Sequence, residues 1–401
     1  MTFGIIKERK TPPDRRVVFS PNQLKQLEQQ YQDLKFIVEP SDIRVFPDEV
    51  YLSNGVEVHD DLSVCDVLLG VKEVPIDALI PNKAYFFFSH TIKKQDYNRE
   101  LLRAILDKNI TLYDHEIITR KNGARLIGFG RYAGLVGAYN GFRLLGKRHQ
   151  LFELPKVEHL ADLNELKSEL DQISLPTIKI VLTGSGKVAK GAREILEHLG
   201  IKEVNVEDYL TQSYDEPVFV NADVLDYNKR KDGKPSDLKE FFKDPTPYES
   251  DFMKFAKTSD VFIAGHFYGD NAPYLFTRAD AKAEEFKIRL VADISCDIDG
   301  PVASTVRPST IADPFYGYEA KTESETDAMN LDAIGVMAVD NLPCELPKDA
   351  SEGFGEMFGK HVIPAFFNGD EDGILERARM TKDGKLTERY SYLQDFVQGR
   401  E

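Results

Sequence analysis

The chain has 401 residues, beyond the size at which one hydrophobic core stops growing, so two domains are expected. Its 51 basic and 67 acidic residues leave a formal net charge of −16 with no long basic run, which argues against nucleic acid or an anionic membrane as partner. Three scattered cysteines (Cys65, Cys296, Cys344), no spanning apolar stretch and a start, MTFGIIKERK, without a signal-peptide core make a cytoplasmic protein the expectation.

In chain order, Phe3–Ile6 reads as a strand, and Ser20-Pro21 as the start of a helix over Asn22–Tyr31. Phe36–Val38, Val64–Val71, Tyr85–Phe88 and Ile110–Tyr113 read as buried strands, with an amphipathic helix at Gln95–Lys108. Such alternation implies an α/β fold with a doubly wound parallel sheet. Gly128–Leu145 is rich in small residues and reads as a closely packed helix passing between domains, and the charged stretch Glu153–Asp171 as a solvated helix plus linker. Further strands are expected at Ile178–Thr183, Val204–Val206, Val218–Val220, Val261–Gly265 and Leu290–Ile294, with a surface excursion at Tyr227–Lys243. Helical patterns at Thr326–Ala333 and Asp349–Phe367 suggest that the tail returns to the first domain.

Val181-Leu-Thr-Gly184-Ser185-Gly186-Lys187-Val188-Ala189 follows an apolar strand and enters a helix, the layout that offers backbone N–H groups to a dinucleotide's pyrophosphate. Gly184 serves the tight turn, Gly186 the phosphate approach and Ala189 the helix packing; a glycine turn of another α/β fold is the plainer alternative. A P-loop is excluded, because Val188 stands where Mg²⁺ would need Ser or Thr.

Strand ends supply the other candidates. Lys72 follows Val64–Val71, where burial would lower an amine's pKa; an ordinary loop lysine is the alternative. His90 and Lys93 follow Phe86-Phe-Phe88, and histidine suits proton transfer near neutral pH. Arg16 offers a fork for a carboxylate, Glu116 follows the strand ending at Tyr113, and His266 could face a nicotinamide ring. None of these clusters has metal-ligand spacing, so no metal is expected.

These motifs, together with Gly128-Phe-Gly130–Ala138, Ala292-Asp293-Ile-Ser295, Val339-Asp340-Asn-Leu-Pro343 and Tyr390-Ser-Tyr-Leu-Gln394, resemble the alanine dehydrogenase/saccharopine dehydrogenase superfamily along the whole chain. Within it the resemblance is to enzymes that interconvert saccharopine with L-lysine and 2-oxoglutarate. It implies two Rossmann-like domains with the active site in the cleft between them. The substrate domain would be 1–140 plus 325–401 and the dinucleotide domain 141–324. It further implies that Lys72 manages the amine proton, that His90 acts on the imine and carbinolamine, and that Glu116 modulates the pair. Arg16, Lys93 and Arg131 would hold substrate carboxylates.

For the cofactor, Gly184, Ser185, Gly186, Lys187 and Val188 would take the pyrophosphate, with His266 and Asp293 nearby. Glu207 and Asp208, about 20 residues past the first glycine, would meet the ribose and favour NAD over NADP. NADP remains open through Lys187 and Lys190. Two other readings are kept: an alanine dehydrogenase-like enzyme and a non-catalytic NAD(H)-binding regulator. The partners expected are small molecules, and the state a monomer or homodimer.

Overall fold

The computed structural model describes residues 1–269 and 271–400. The chain forms two compact units, Met1–Phe129 with Pro347–Glu401, and Gly130–Leu346.

In the first unit, β1 (Thr2–Ile5), β2 (Lys35–Val38), β3 (Glu57–Val58), β4 (Val67–Leu69), β5 (Ala84–Phe87) and β6 (Thr111–Asp114) form one sheet in the order β3-β2-β1-β4-β5-β6. Every pairing is parallel. A parallel sheet needs cover on both faces, and the alternating side chains supply two cores. Phe3, Val67, Leu69, Phe86 and Tyr113 point to one; Leu68, Tyr85, Phe87 and Leu112 point to the other.

Helix α1 (Pro21–Gln30) covers the first core with Leu24 and Leu27. It starts where expected, with the Ser20 N–H donating to Gln23 Oε1 at 3.0 Å. Helix α2 (Asp48–Ser53) adds Tyr51 to that core, and α3 (Arg99–Asp107) covers the second with Leu101, Leu102 and Ile105.

The C-terminal segment completes both layers. Phe354 and Phe358 of helix Pro347–His361 enter the first core, and Leu393 and Phe396 the second. Each such buried side chain contributes about 1.5–3 kcal/mol. The expected return of the tail is therefore seen as a packed part of the first unit.

The second unit opens with α4 (Gly130–His149) and α5 (Leu163–Leu170). There follow β7 (Lys179–Thr183), α6 (Lys187–His198), β8 (Lys202–Glu203), α7 (Val206–Thr211) and β9 (Val218–Ala222). Then come β10 (Asn228–Arg230), α8 (Leu238–Lys243), β11 (Tyr248–Ser250), β12 (Val261–Ala264) and β13 (Leu290–Asp293), and finally β14 (Phe315–Glu319), β15 (Ser324–Thr326) and β16 (Ile334–Met337). The main sheet has the order β15-β14-β16-β13-β12-β7-β9-β8, parallel except for β14 and β15.

Four expectations change. Val204–Val206 is no strand: strand β8 stops at Glu203, and the Asn205 side chain accepts the Asp208 N–H at 2.9 Å, starting α7. Thr326–Ala333 is no helix, because Asp327 and Asn330 accept the N–H groups of Met329 and Asp332 and turn the chain locally. The Tyr227–Lys243 excursion is a structured flap, where β10 pairs with β11, and Phe241 and Tyr248 join the core. The units divide at 129/130 and 346/347, not at 140 and 325, since α4 packs along α6 and β16 lies between β13 and β14.

Candidate functional site

In the first unit the expected residues all follow the C-terminal ends of strands, the edge where open parallel sheets present their ligand-binding loops. Lys72 comes after β4 and is half-buried. Its neighbour Glu73 reaches the loop after β5, where Oε1 lies 2.5 Å from His90 Nδ1, and Lys10 lies 3.2 Å from the other oxygen. His90 sits in the left-handed region (φ 54°), where only a fixed loop holds a non-glycine residue. Its ring stacks on Phe88 at a centroid distance of 6.2 Å.

Burial would raise the Glu73 carboxyl. The hydrogen bond from His90, a backbone amide and the charges of His90 and Lys10 outweigh that and hold it at about 2. Glu73 thus stays ionised and fixes the ring through Nδ1, so Nε2 is the ring nitrogen that Glu73 does not engage. Sequence reasoning passed over Glu73, although its place beside Lys72 on a strand-end loop was a usable signal.

Glu116 lies after β6 and pairs with Arg125 at 2.6 Å and Lys93 at 3.8 Å. The carboxylate bonded to His90 is therefore Glu73. Lys93 keeps half of its side chain in solvent. Arg16 is buried and forked onto Asp14 at 3.0 and 2.6 Å, with its guanidinium 4.3 Å over the Phe129 ring. Nearby His115 is enclosed by Phe86, Phe88, Phe354 and Phe358, and burial pushes it down to about 3.

In the second unit, β7 leads into the glycine turn and α6 begins at Lys187, with Val188 in its first turn. The first N–H groups of a helix have no intrahelical partner and favour an anion. Gly184 has φ +100°, and a Cβ there would lie 2.6 Å from Gly265 O and 2.9 Å from His266 Cα. A Cβ on Gly186 would meet nothing within 4 Å, so the turn is open on that side. His266 donates or accepts at Nδ1 with Thr183 Oγ1 at 2.9 Å, and its buried Nε2 has no partner among the described residues. Burial pushes this ring down to about 4 against the charge of Asp293. These features fit a dinucleotide: an open phosphate cradle, and an orphaned ring nitrogen at the neighbouring strand end.

The ribose acid is where the structure departs furthest from expectation. The strand beside β7 is β9, and β8 lies outside it at the edge. Glu207 and Asp208 are carried out with that edge into α7, where Asp208 is bonded to Asn205 and Gln212. The end of β9 instead carries Asn221, whose side chain donates to Gly184 O at 2.7 Å, and just past the strand stands Asp223, which accepts from Ser185 at 3.3 Å. Asp223 therefore holds the position beside the fingerprint that the sequence spacing assigned to Glu207 and Asp208.

Arg131 is also committed elsewhere, forked onto Glu194 of α6 at 2.7 and 2.6 Å, bonds that raise its pKa further. Asp293 ends β13 fully buried and accepts from Ser295, Cys296 and Thr305, so it anchors its own loop. A cavity of about 300 Å³ lies between the segments after β9 and β12, lined by Tyr227, Phe241, Phe242, Phe267 and Tyr268. Among the described residues no group of three or more His, Cys, Asp or Glu could hold a metal ion, and no helix is long and apolar enough to cross a membrane.

Residues 4–136 match the family described as alanine dehydrogenase/PNT, N-terminal domain. An alpha-aminoadipic semialdehyde synthase of Mus musculus is 29% identical over 97% of this chain and 47% of its own length, and that of Arabidopsis thaliana 27% over 97% and 41%. The chain thus spans about half the length of these relatives. A saccharopine dehydrogenase [NAD(+), L-lysine-forming] of Yarrowia lipolytica is 25% identical over 80% of both chains. Among solved structures, an L-alanine dehydrogenase matches with a TM-score of 0.67 at 17% identity, covering 99% of this chain and 100% of its own, which shows the same α/β fold. Residues 4–136 are thus similar to the alanine dehydrogenase/PNT N-terminal domain, and the chain is similar over nearly its whole length to alpha-aminoadipic semialdehyde synthases and over most of it to saccharopine dehydrogenases.

Proposed function

We propose that this chain is an oxidoreductase that interconverts saccharopine with L-lysine and 2-oxoglutarate, using NAD in preference to NADP. The observation that carries the reading is the Lys72, Glu73 and His90 constellation, with Glu73 bonded to His90 Nδ1 directly beside Lys72. Amine chemistry near neutral pH needs one group for the amine proton and a second, fixed in tautomer, for water and the imine. Alanine has one carboxylate and saccharopine several. The cations of the first unit, Lys93 and Arg16, suit the latter, with Arg16 sharing its fork between Asp14 and the ligand.

Bound nicotinamide supplies the hydride acceptor. Lys72 takes the proton of the secondary amine as the C–H bond breaks. His90, oriented by Glu73, then delivers a water to the resulting substrate imine and returns a proton to nitrogen as the carbinolamine collapses. In the second unit the glycine turn and the first turn of α6 take the pyrophosphate, and Asp223 takes the ribose hydroxyls. The aromatic cavity, which His266 also lines, would hold the adenine. An acid at the ribose repels a 2′-phosphate, which supports NAD.

The test follows reduced-nicotinamide absorbance with lysine and 2-oxoglutarate, against pyruvate with ammonia. We expect oxidation that requires both lysine and 2-oxoglutarate, falling at least 100-fold in Lys72→Met and His90→Gln while NAD affinity changes less than about threefold. Activity on pyruvate and ammonia alone would make the chain an alanine dehydrogenase. NAD(H) binding without any turnover would make it a regulator.

A further inference from the structure

The Lys72 backbone is held by a residue that neither the motifs nor the proposed mechanism uses. Glu8 lies on the loop after β1, and its side chain turns inward to the end of β4. Oε1 accepts the Val71 N–H at 2.7 Å and Oε2 the Lys72 N–H at 2.9 Å. Both oxygens of one carboxylate are thus spent on the two peptide groups from which Lys72 departs.

The neighbours of Glu8 are fixed in turn. The Lys7 N–H donates to Glu39 Oε2 at 2.9 Å, and Arg9 reaches both Glu39 and the Lys7 carbonyl. Gly70 allows the approach: a Cβ there would lie 2.7 Å from Ile6 Cδ1 and 3.6 Å from Glu8 Oε1. The ladder between β1 and β4 already continues through the Ile6 N–H to Leu69 O at 3.0 Å, so pairing these strands does not require a carboxylate. Asp14 and Arg16, farther along the same loop, are the charged side chains that act on Glu8, alongside the backbone N–H groups of Val71 and Lys72.

We propose that Glu8 is a positioning residue for Lys72, clamping its backbone so that the amine is delivered to the substrate at one place. A displacement of about 1 Å at a reacting group costs up to 100-fold in rate, which sets the scale of the effect. The clamp has a chemical signature. Burial, reinforced by Asp14, pushes the Glu8 carboxyl up to about 7, although the two N–H groups and Arg16 oppose the rise. Protonation turns one acceptor oxygen into a donor facing an N–H, so the clamp is whole above pH 7 and weakens below it.

The inference rests on the functional reading only for its kinetic arm. Glu8→Gln presents one NH₂ to an N–H, and we expect kcat to fall about 10- to 100-fold with NAD affinity unchanged. In a Lys72→Met background the same substitution should change the residual rate less than about twofold, because the group it positions is gone. An equal loss in both backgrounds would show a general structural role and overturn the proposal.

Amide hydrogen exchange on the wild-type chain reads the clamp without substrate and without a variant that must fold. Exchange at Val71 and Lys72, corrected for intrinsic pH dependence, should accelerate severalfold as pH falls from 8 to 6, relative to Leu69 in the same strand. Equal protection across that range would overturn the clamp even if turnover is found. Failure of the saccharopine reading would instead appear as lysine-independent or absent turnover in the wild type.

Discussion

Gly191→Ala tests whether close contact of α4 and α6, rather than helix propensity, decides residue choice beneath the glycine turn. In an open helix this change gains about 1 kcal/mol, because alanine is the better helix former. Here the added Cβ would lie 2.9 Å from the Arg131 carbonyl carbon and nearer still to its oxygen. Ordinary contact needs at least half an ångström more, and the obstacle is backbone that no rotamer change can remove. Overpacking of this kind costs about 1–3 kcal/mol or more and outweighs the propensity gain.

For a unit of roughly 200 residues, each kcal/mol moves Tm by about 2–4 °C, so a cost of about 3 kcal/mol against fixed backbone, less the propensity gain of about 1 kcal/mol, lowers Tm by about 4–8 °C. The opposing Gly134 meets Ala192 N at 2.6 Å in the same way. Since either substitution pushes the same two helices apart, Gly134→Ala with Gly191→Ala should cost less than the sum. Scanning calorimetry of the four proteins measures this, and NAD titration reports whether the start of α6 has moved. An unchanged or raised Tm in Gly191→Ala would refute the reasoning.

Asp223→Ser should raise the ratio of NADPH to NADH efficiency by about 10-fold or more, while Glu207→Ser leaves it within about twofold, as kcat/KM with each coenzyme will show. The buried rings of His115 and His266 titrate at about 3 and 4 in the folded chain, against about 6.5 unfolded. The unfolded chain therefore binds more protons between these values, and the contribution of neutral histidine is complete above pH 6.5 and lost as pH falls toward 4. Glu8 and Glu345, both raised to about 7, act in the opposite sense, so the wild-type curve is flattened. His115→Gln, which keeps a donor for Gly70 O, should gain stability relative to wild type by up to ~3 kcal/mol between pH 6.5 and 4 in urea unfolding. A constant difference across that range would contradict the assignment.

Much of this was legible in the sequence because it depends on local pattern. The apolar runs that became β1, β2, β4, β5, β7, β9, β12 and β13 are bounded by turn residues, and Lys72 and His90 stand where such runs stop. What was not legible depends on how strands are ordered. The spacing that nominated Glu207 and Asp208 assumes that the second strand lies beside the first, whereas here the third does. The partners of Glu73 and Glu8 are 17 and at least 63 residues away, and no periodicity encodes such pairings. Arg131 looked available because its partner, Glu194, is a helix away. The strand at Ile334–Met337 was hidden because its apolar run is short and follows a helix-like stretch that local side-chain bonds interrupt.

The first unit draws its two layers from opposite ends of the chain, and that has a consequence during synthesis. When the ribosome has finished β6, Leu112 still lacks the Thr381 oxygen its N–H will donate to, Val17 lacks Ser351, and Arg99 and Arg103 lack the carbonyls of Phe396 and Val397. At about 5–20 residues per second, more than ten seconds pass before those partners emerge, and the whole middle unit is made in the interval. The second unit can thus close while the first waits as an unfinished sheet with bare apolar faces. A nascent chain stalled before Pro347 would be the form that chaperones hold, and the order of assembly would complete the second unit ahead of the first unit's sheet.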